Sequence, residues 1–295
     1  MSTSVLLSTP APVGDGRLML GESPRWHGPS QTLWWVDILA SRLHWLDPDG
    51  QVGQRQLPRA AACLALDATG GMVLGGEGGF ARLPSPPDGE WQWLTDPEAD
   101  KPWQRLNDGR CDPAGRFIAG SQNPRKDQHY GTFYCLTGEK ARPLVGRSWT
   151  CNGLAFSLDG RTLYWSDTPN RVIYACDYDV DRGAVSHQRV FFVVPEGWGR
   201  PDGACVDSEG CYWSALYAGG GLLRIGPDGT LRERVPLPVS NPTMPCFGGA
   251  DLTTLYVTSA RQKLEVEHLA AHPLEGALLC LQTSVVGLAE TPWRP

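Results

Sequence analysis

The sequence predicts an all-β chain folded as a six-bladed β-propeller of four-stranded blades, a single domain over residues 1–295. Three observations carry this reading. Turn formers are abundant and spread along the whole chain, with Gly 35 and Pro 25, and Trp 12 is high. Two short phrases alternate strictly from end to end. Their spacing is roughly 45 residues, the span of one propeller blade.

The first phrase is an apolar pair, a turn rich in Asp and Gly, then an apolar or aromatic strand. It reads "SPRWHGPSQTLWWVD" from Ser23, "CLALDATGGMVLGG" from Cys63, "RCDPAGRFIAGS" from Arg110, "LAFSLDGRTLYWSD" from Leu154, "ACVDSEGCYWSA" from Ala204 and "CFGGADLTTLYVTSA" from Cys246. The second is a small–apolar–x–apolar strand: "SRLHWLD", "GGFARLP", "GTFYCLT", "NRVIYACD", "GGLLRIG" and "GALLCLQ". Six cycles mean six blades. A pair of β-sandwiches is the rival architecture, but its strands have no reason to keep one long period.

Blade 4 is the clearest. The segments 153–157, 162–166, 171–178 and 189–194 alternate apolar and polar residues between turns, as half-buried strands do. The sixth cycle runs short of strands. A strand near the N-terminus, such as "SVLLS" or "RLML", is expected to complete it and close the ring, which protects the sheet edges. The segment "RQKLEVEHLAAHP" (261–273) is an insertion, read as one helical turn or a loop.

Composition excludes several classes. Net charge is −6 and no basic stripe appears, which argues against nucleic acid. The N-terminus lacks the basic and apolar regions of a secretory signal. "LWWVDILA" and "GALLCL" are too short to span a bilayer, so no membrane partner is expected. Nine Cys without a CxxC pair read as reduced, buried small hydrophobes in a cytoplasmic protein. The chain is expected to be a monomer or weak homo-oligomer.

The polar residues share a phase. Superposing "TLWW" on "TLYW" places Leu33 on Leu163, and counting back equally reaches Glu22 and Asn152. Superposing "VDSEGCYW" on "CDPAGRFI" places Asp207 on Asp112, and the same step back reaches Asp202 and Asn107. All four fall at one position, read as just before the first strand of a blade. Blades 2 and 6 place Ala62 and approximately Met244 there. First strands line the central channel of a propeller, so these side chains converge on its axis. Each Asn-Gly or Asp-Gly pair taken alone is a turn former; the common phase points to a site. Two carboxylates and two amides form an oxygen-rich set. Without a cation the carboxylates would repel and one would hold a proton. Ca²⁺, Mg²⁺ or Mn²⁺ suits such ligands, and an open three-ligand site also takes Zn²⁺ or Fe²⁺.

The segments "LGESPRWHGPSQTLWWVDI", "RLNDGRCDPAGRFIAGS", "NGLAFSLDGRTLYWSDT" and "PDGACVDSEGCYWSALYAGG" resemble the gluconolactonase/regucalcin (senescence marker protein) family, in the right order and over nearly the whole chain. That resemblance implies a six-bladed propeller with one divalent metal in the axial channel and, in its lactonases, opening of sugar lactones to aldonic acids. It implies that Glu22, Asn152 and Asp202 are the metal ligands, that Asp202 is also the general base, and that Arg105 and Asn107 bind substrate. One segment departs. "QNPRKDQHYG" (122–131) is shorter and basic where some relatives carry an acidic sugar contact. Gln122, Asn123, Arg125 and His129 are each read as part of a solvated loop, with lining of the pocket as the alternative. The expected substrate is therefore a lactone such as xylono-, arabinono-, galactono- or gluconolactone. The alternatives are a non-catalytic Ca²⁺-binding regulatory propeller and a propeller hydrolase of other esters or phosphotriesters. A Ser-His-Asp hydrolase is disfavoured: no GxSxG is present, and His27, His44, His187, His268 and His272 have no common phase. Asp37 and Asp167, which close strands, are read as structural.

Overall fold

The computed structural model describes residues 5–125 and 127–294. Six four-stranded antiparallel sheets form, each in simple meander order except the last. Blade 1 comprises Gly21–His27, Thr32–Asp37, Arg42–Leu46 and Val52–Gln56; blade 2, Ala61–Leu66, Met72–Gly76, Gly79–Leu83 and Gln92–Thr95. Blade 3 comprises Arg105–Cys111, Phe117–Gln122, Gly131–Thr137 and Lys140–Ser148; blade 4, Cys151–Phe156, Thr162–Asp167, Val172–Asp179 and Ala184–Val193. Blade 5 comprises Arg200–Val206, Tyr212–Tyr217, Gly221–Ile225 and Leu231–Pro236; blade 6, Pro242–Gly248, Thr254–Ser259, Leu279–Gln282 and, from the other end of the chain, Ala11–Pro12. Innermost strands of successive blades touch around the ring, and blade 6 touches blade 1. The expected six-bladed propeller is the fold found.

The repeat in the sequence is a repeated hairpin. Asp112 Oδ1 accepts from the amides of Ala114 and Arg116, both at 2.9 Å. Asp207 Oδ1 accepts from Glu209 and Cys211 at 3.0 and 2.9 Å, and Asp67 Oδ1 from Thr69 and Gly71 at 2.8 and 2.9 Å. Each Asp ties the turn between the first and second strands back to itself, as short Asp side chains do.

Burial falls from the axis outward. Ala61–Leu66 and Cys151–Phe156 are buried throughout, whereas the outermost strand Val52–Gln56 alternates exposed and half-buried. Apolar clusters fill the spaces between neighbouring blades. Ile118, Phe133, Leu163 and Trp165 join blades 3 and 4. Cys205, Trp213, Phe247 and Leu255 join blades 5 and 6. Leu33, Trp35, Cys246 and Tyr256 join blade 6 to blade 1. The tryptophans of the repeat thus serve the core. No disulfide joins the nine cysteines, and eight of them are buried.

Ring closure differs in detail from expectation. The closing strand is Ala11–Pro12, paired to Cys280 and Leu279, and it lies between the two stretches expected to supply it. Leu6 of "SVLLS" forms an isolated bridge to Thr283, outside the named strands. Pro12 lacks an amide hydrogen, which suits an edge strand and hides it from a search for strand-like sequence. The insertion holds a short helix, Val266–Ala271. Among the described residues no helix is long and apolar enough to cross a membrane.

The C-terminal segment runs across one end of the channel. Ser208 N donates to Val286 O, Trp293 N to Leu66 O and Arg294 N to Gly115 O, each at 2.7–2.8 Å. Arg110 pairs with Glu290 at 3.3 Å below the axis.

One feature of register sets up the site. The innermost strand of every blade carries a bulge against its neighbour, between Glu22/Arg25, Ala61/Cys63, Leu106/Gly109, Asn152/Ala155, Pro201/Ala204 and Pro242/Met244. An extra residue re-aims side chains and sharpens the twist. In blade 4 this needs Gly153 at φ +63, with no room for a Cβ between the Tyr212 hydroxyl and Ser166 Oγ. Gly153→Ala is expected to cost about 1–3 kcal/mol, read as a lowered thermal midpoint. An unchanged midpoint would show that the backbone at 153 can relax out of the left-handed region.

Candidate active site

Counting four residues back from the inner-strand residue paired with the start of the second strand gives one equivalent position per blade. The pairs Trp26↔Leu33, Phe156↔Leu163, Val206↔Tyr212 and Cys111↔Phe117 lead to Glu22, Asn152, Asp202 and Asn107. Leu66↔Met72 leads to Ala62 and Phe247↔Leu255 to Thr243. Two expectations are corrected here. The position lies within the first strand, in or beside the bulge, and not ahead of it. Blade 6 presents Thr243, one residue before Met244. Its hydroxyl donates to Gly21 O at 2.5 Å, so it ties blade 6 to blade 1.

The four oxygen-bearing side chains do come together. Glu22, Asn107, Asn152 and Asp202 are all buried, and all border a cavity of about 290 Å³ at the open end of the channel. A hydrogen-bonded chain runs through three blades. Arg105 Nη1 donates to Asn107 Oδ1 at 2.8 Å, Asn107 Nδ2 to Asn152 Oδ1 at 2.7 Å, and Asn152 Nδ2 to Asp202 Oδ1 at 2.6 Å. A guanidinium only donates and a carboxylate only accepts, so the two ends fix which way both amides face. Thr168 Oγ1 accepts a second hydrogen from Asn152 at 2.7 Å. Gln122, with its amide oxygen turned to Arg105, accepts from Nε and Nη2 at 3.2 and 2.8 Å.

Glu22 stands across the axis from this chain, its carboxylate receiving Ser23 N at 3.2 Å. Asp37 places it: Asp37 accepts from Met19 N and Leu20 N at 2.8 and 3.1 Å, and so fixes the backbone entering the strand. Asp167 does the same in blade 4, accepting from Trp149 N at 3.3 Å. Both acids are structural, as read from the sequence.

The electrostatics are unfavourable without a counter-charge. Burial pushes the Glu22 carboxyl well above its ordinary value, and the charges of Asp202 and Asp108 push it further. Burial and Asp108 raise Asp202 likewise. Arg105 opposes both, while its own burial lowers it to about 10. Asp108 lies deeper, raised by its burial, with Oδ2 on Leu154 N at 2.9 Å and Oδ1 without a partner. Among the described residues no three His, Cys, Asp or Glu side chains gather in a metal-binding group, at the axis or elsewhere. The donor set at the axis is therefore two carboxylates and amide oxygens, which suits a hard divalent cation.

The loop residues separate. Gln122 and Pro124 border the cavity. Asn123 is buried and holds its own loop, donating to Asp127 Oδ1 and Gln128 O at 2.8 Å each. Arg125 stacks on Trp103 and His129 on Trp149. Sequence reasoning missed Arg200, Tyr217, Gln262 and Lys263, which also border the cavity. For Arg200 a signal existed: "RPD" in blade 5 matches "RLN" in blade 3. A second cavity of about 370 Å³ at the sealed end is lined largely by apolar residues such as Trp26, Leu66, Leu252 and Pro292, and holds none of the expected site residues.

Residues 20–261 match the family described as the SMP-30/Gluconolactonase/LRE-like region. A 6-deoxy-6-sulfogluconolactonase of Pseudomonas putida is 42% identical over 278 residues, 92% of this chain and 94% of that protein. A regucalcin of Xenopus laevis is 35% identical over 284 residues, again 92% and 94%. Among solved structures, a calcium-binding protein, regucalcin, from Agrobacterium tumefaciens superposes with a TM-score of 0.92 at 29% identity, covering 96% of this chain and 97% of that one. With the propeller, its axial carboxylates and these likenesses together, the chain belongs to the SMP-30/gluconolactonase/LRE-like family.

Proposed function

We propose that this protein is a sugar lactonase that opens an aldonolactone to its aldonic acid, with one divalent cation held by Glu22, Asn152 and Asp202. The observation that carries the reading is the pair of buried, mutually repelling carboxylates facing one open cavity, with Asp202 joined to Arg105 through two amides. The relative named 6-deoxy-6-sulfogluconolactonase supports lactone opening, and the relative titled a calcium-binding protein supports the cation.

A bound divalent cation supplies positive charge that polarises a carbonyl and acidifies water. Asn152 would serve it through the amide oxygen that accepts from Asn107 Nδ2. The chain's own residues do the rest. Asp202 accepts a proton from the attacking water as its oxygen adds to the lactone carbonyl. The ring C–O bond then breaks, and the departing ring oxygen takes the proton back from Asp202 to become the hydroxyl of the aldonic acid. Arg105 and Asn107 orient sugar hydroxyls and stabilise the developing oxyanion from donors already fixed in place.

The test is a panel of glucono-, xylono-, arabinono- and galactonolactone, with and without chelator, followed by acid release. Cation-dependent opening of at least one lactone is expected. Acid release no faster than the spontaneous rate throughout would remove the proposal. Cation binding without any opening would favour the binding-only reading. Asp202→Ala is expected to lower kcat by 10²-fold or more; near-normal turnover would take Asp202 out of the mechanism.

The same charges predict a trade of stability for function. Glu22 and Asp202 are raised in the fold above their unfolded values of about 4. Stability is therefore fully present below that pH and is lost as pH rises through the folded values. In chelator, Asp202→Asn is expected to raise the thermal midpoint at pH 7 by a few degrees, about 1 kcal/mol or more. The gain should shrink toward pH 4. Equal midpoints at both pH values would show that the carboxylates do not oppose one another.

A further inference from the structure

We propose that the lactone this site takes is the terminal unit of an oligosaccharide, and that a groove running outward from the axial cavity over blade 2 holds the glycosyl units. The proposal rests on the lactonase reading above and specifies its substrate class. The chemistry is unchanged: water opens the lactone ring, and the glycosidic bond to the next sugar stays intact.

The groove is continuous with the site. Arg105, Gln122 and Pro124 border the axial cavity and also a larger one of about 630 Å³. Arg59, Gly78 and Asp96 border that larger cavity and a third, of about 330 Å³, which reaches Trp93 on the outermost strand of blade 2. The path therefore leads from the inner strand of blade 3 to the rim of blade 2. The cavities at the other end of the channel share no residue with the axial one. At about 290 Å³, the axial cavity lies at the lower end of the roughly 300–1,000 Å³ found for small-molecule sites. A single sugar ring seated there leaves the groove unused.

The lining suits an uncharged chain rich in hydroxyls. Beyond Arg105 the charged side chains on the groove are Arg59 and Lys101 against Glu77 and Asp96. The two signs balance, so the ligand needs no net charge, and donors and acceptors are both on offer to hydroxyl groups. Two tryptophans stand along the path, outside the repeated phrases that build the core. Trp103 borders the middle cavity and Trp93 the outer one. Trp93 is 47% exposed, and among the described residues it is the one aromatic side chain of the large apolar groups left to solvent. An indole takes the C–H face of a sugar ring, while the ring's hydroxyls meet the polar walls.

The wall of the groove is built in advance. Glu98 is buried beneath it, its Oε1 accepting from Ser121 Oγ at 3.0 Å and from the Tyr134 hydroxyl at 3.1 Å. Gln104, with its amide nitrogen turned inward, donates to both Glu98 oxygens at 2.7 and 2.8 Å. Lys101 N donates to Glu98 O at 2.7 Å and Gln104 N to Lys101 O at 2.9 Å. The Arg125 guanidinium stacks 3.9 Å from the Trp103 ring, and Trp93 leans on Trp91 at 5.4 Å. A surface fixed in this way spares a ligand the cost of ordering it.

The experiment compares kcat/KM for gluconolactone with the lactones of cellobionic, maltobionic, gentiobionic and cellotrionic acids, using the full chain supplied with a divalent cation. At least one glycosylated lactone is expected to exceed gluconolactone by about tenfold or more, chiefly through KM. Ala99→Trp places a large side chain in the groove from an exposed position. It should cut that ratio about tenfold and leave gluconolactone opening within about twofold, which separates a blocked groove from a lost fold. Trp103→Ala should lower the ratio severalfold. Trp93→Ala should weaken the trisaccharide lactone and spare the disaccharides, because Trp93 stands further from the axis. A ratio of one or less for every glycosylated lactone, or one that neither Ala99→Trp nor Trp103→Ala moves, would overturn the proposal and leave the lactonase reading intact. Opening of no lactone, glycosylated or free, would overturn both.

Discussion

Closure of the ring is the constraint on which the rest of the structure depends. The side chains at the axis are held from neighbouring blades: Asn107 by Asn152, Asn152 by Asp202, Gly21 by Thr243. Such contacts exist only when six blades are drawn into a circle. Closure is covalently remote, since two residues near the N-terminus complete a sheet otherwise built from residues beyond 240. The apolar cluster of Leu33, Trp35, Cys246 and Tyr256 seals the same seam. A propeller with this joint open would expose strand edges and would separate Glu22 from Asp202.

The axis is where the fold gives up stability. Apolar burial between blades stabilises the molecule, yet its centre holds Glu22, Asp108 and Asp202 under neighbouring backbone. Isolated buried carboxylates are costly. Arg105 offsets part of this from above. Arg25 offsets part of it from below, where its guanidinium donates to Gly109 O at 2.6 Å. The remainder is what a divalent cation would relieve. At the far end of the channel the C-terminal segment lies against blades 2, 3 and 5 and Arg110 pairs with Glu290, while the charged floor borders the cavity at the other end.

The repeat was legible because turn chemistry is local. Asp67, Asp112 and Asp207 each bind amides two and four residues on, so the phrase can be read without its surroundings. Glu22, Asn107, Asn152 and Asp202 were legible because they sit at a fixed distance from that phrase. What escaped was whatever the repeat does not encode. Ala11–Pro12 lacks strand character and pairs only because an unfilled edge awaits it. The six bulges place the axial residues within the inner strands, where simple alternation sees the strand begin a residue or two later. Blade 6 fixes its axial position only approximately from sequence, near Met244, because its hairpin is one residue longer than that of blade 1. Lys263 reaches the cavity from an insertion that has no counterpart in other blades.

The amino-acid sequence by itself determined the number of blades, the turns within them and the residue types that meet at the axis, because each of these rests on spacings within about 45 residues of chain. Only the tertiary structure decided which end of the channel is open and which amide faces which carboxylate. Those relations join residues tens to hundreds of positions apart, and they follow from the curvature of a closed ring, which no local pattern of side chains records.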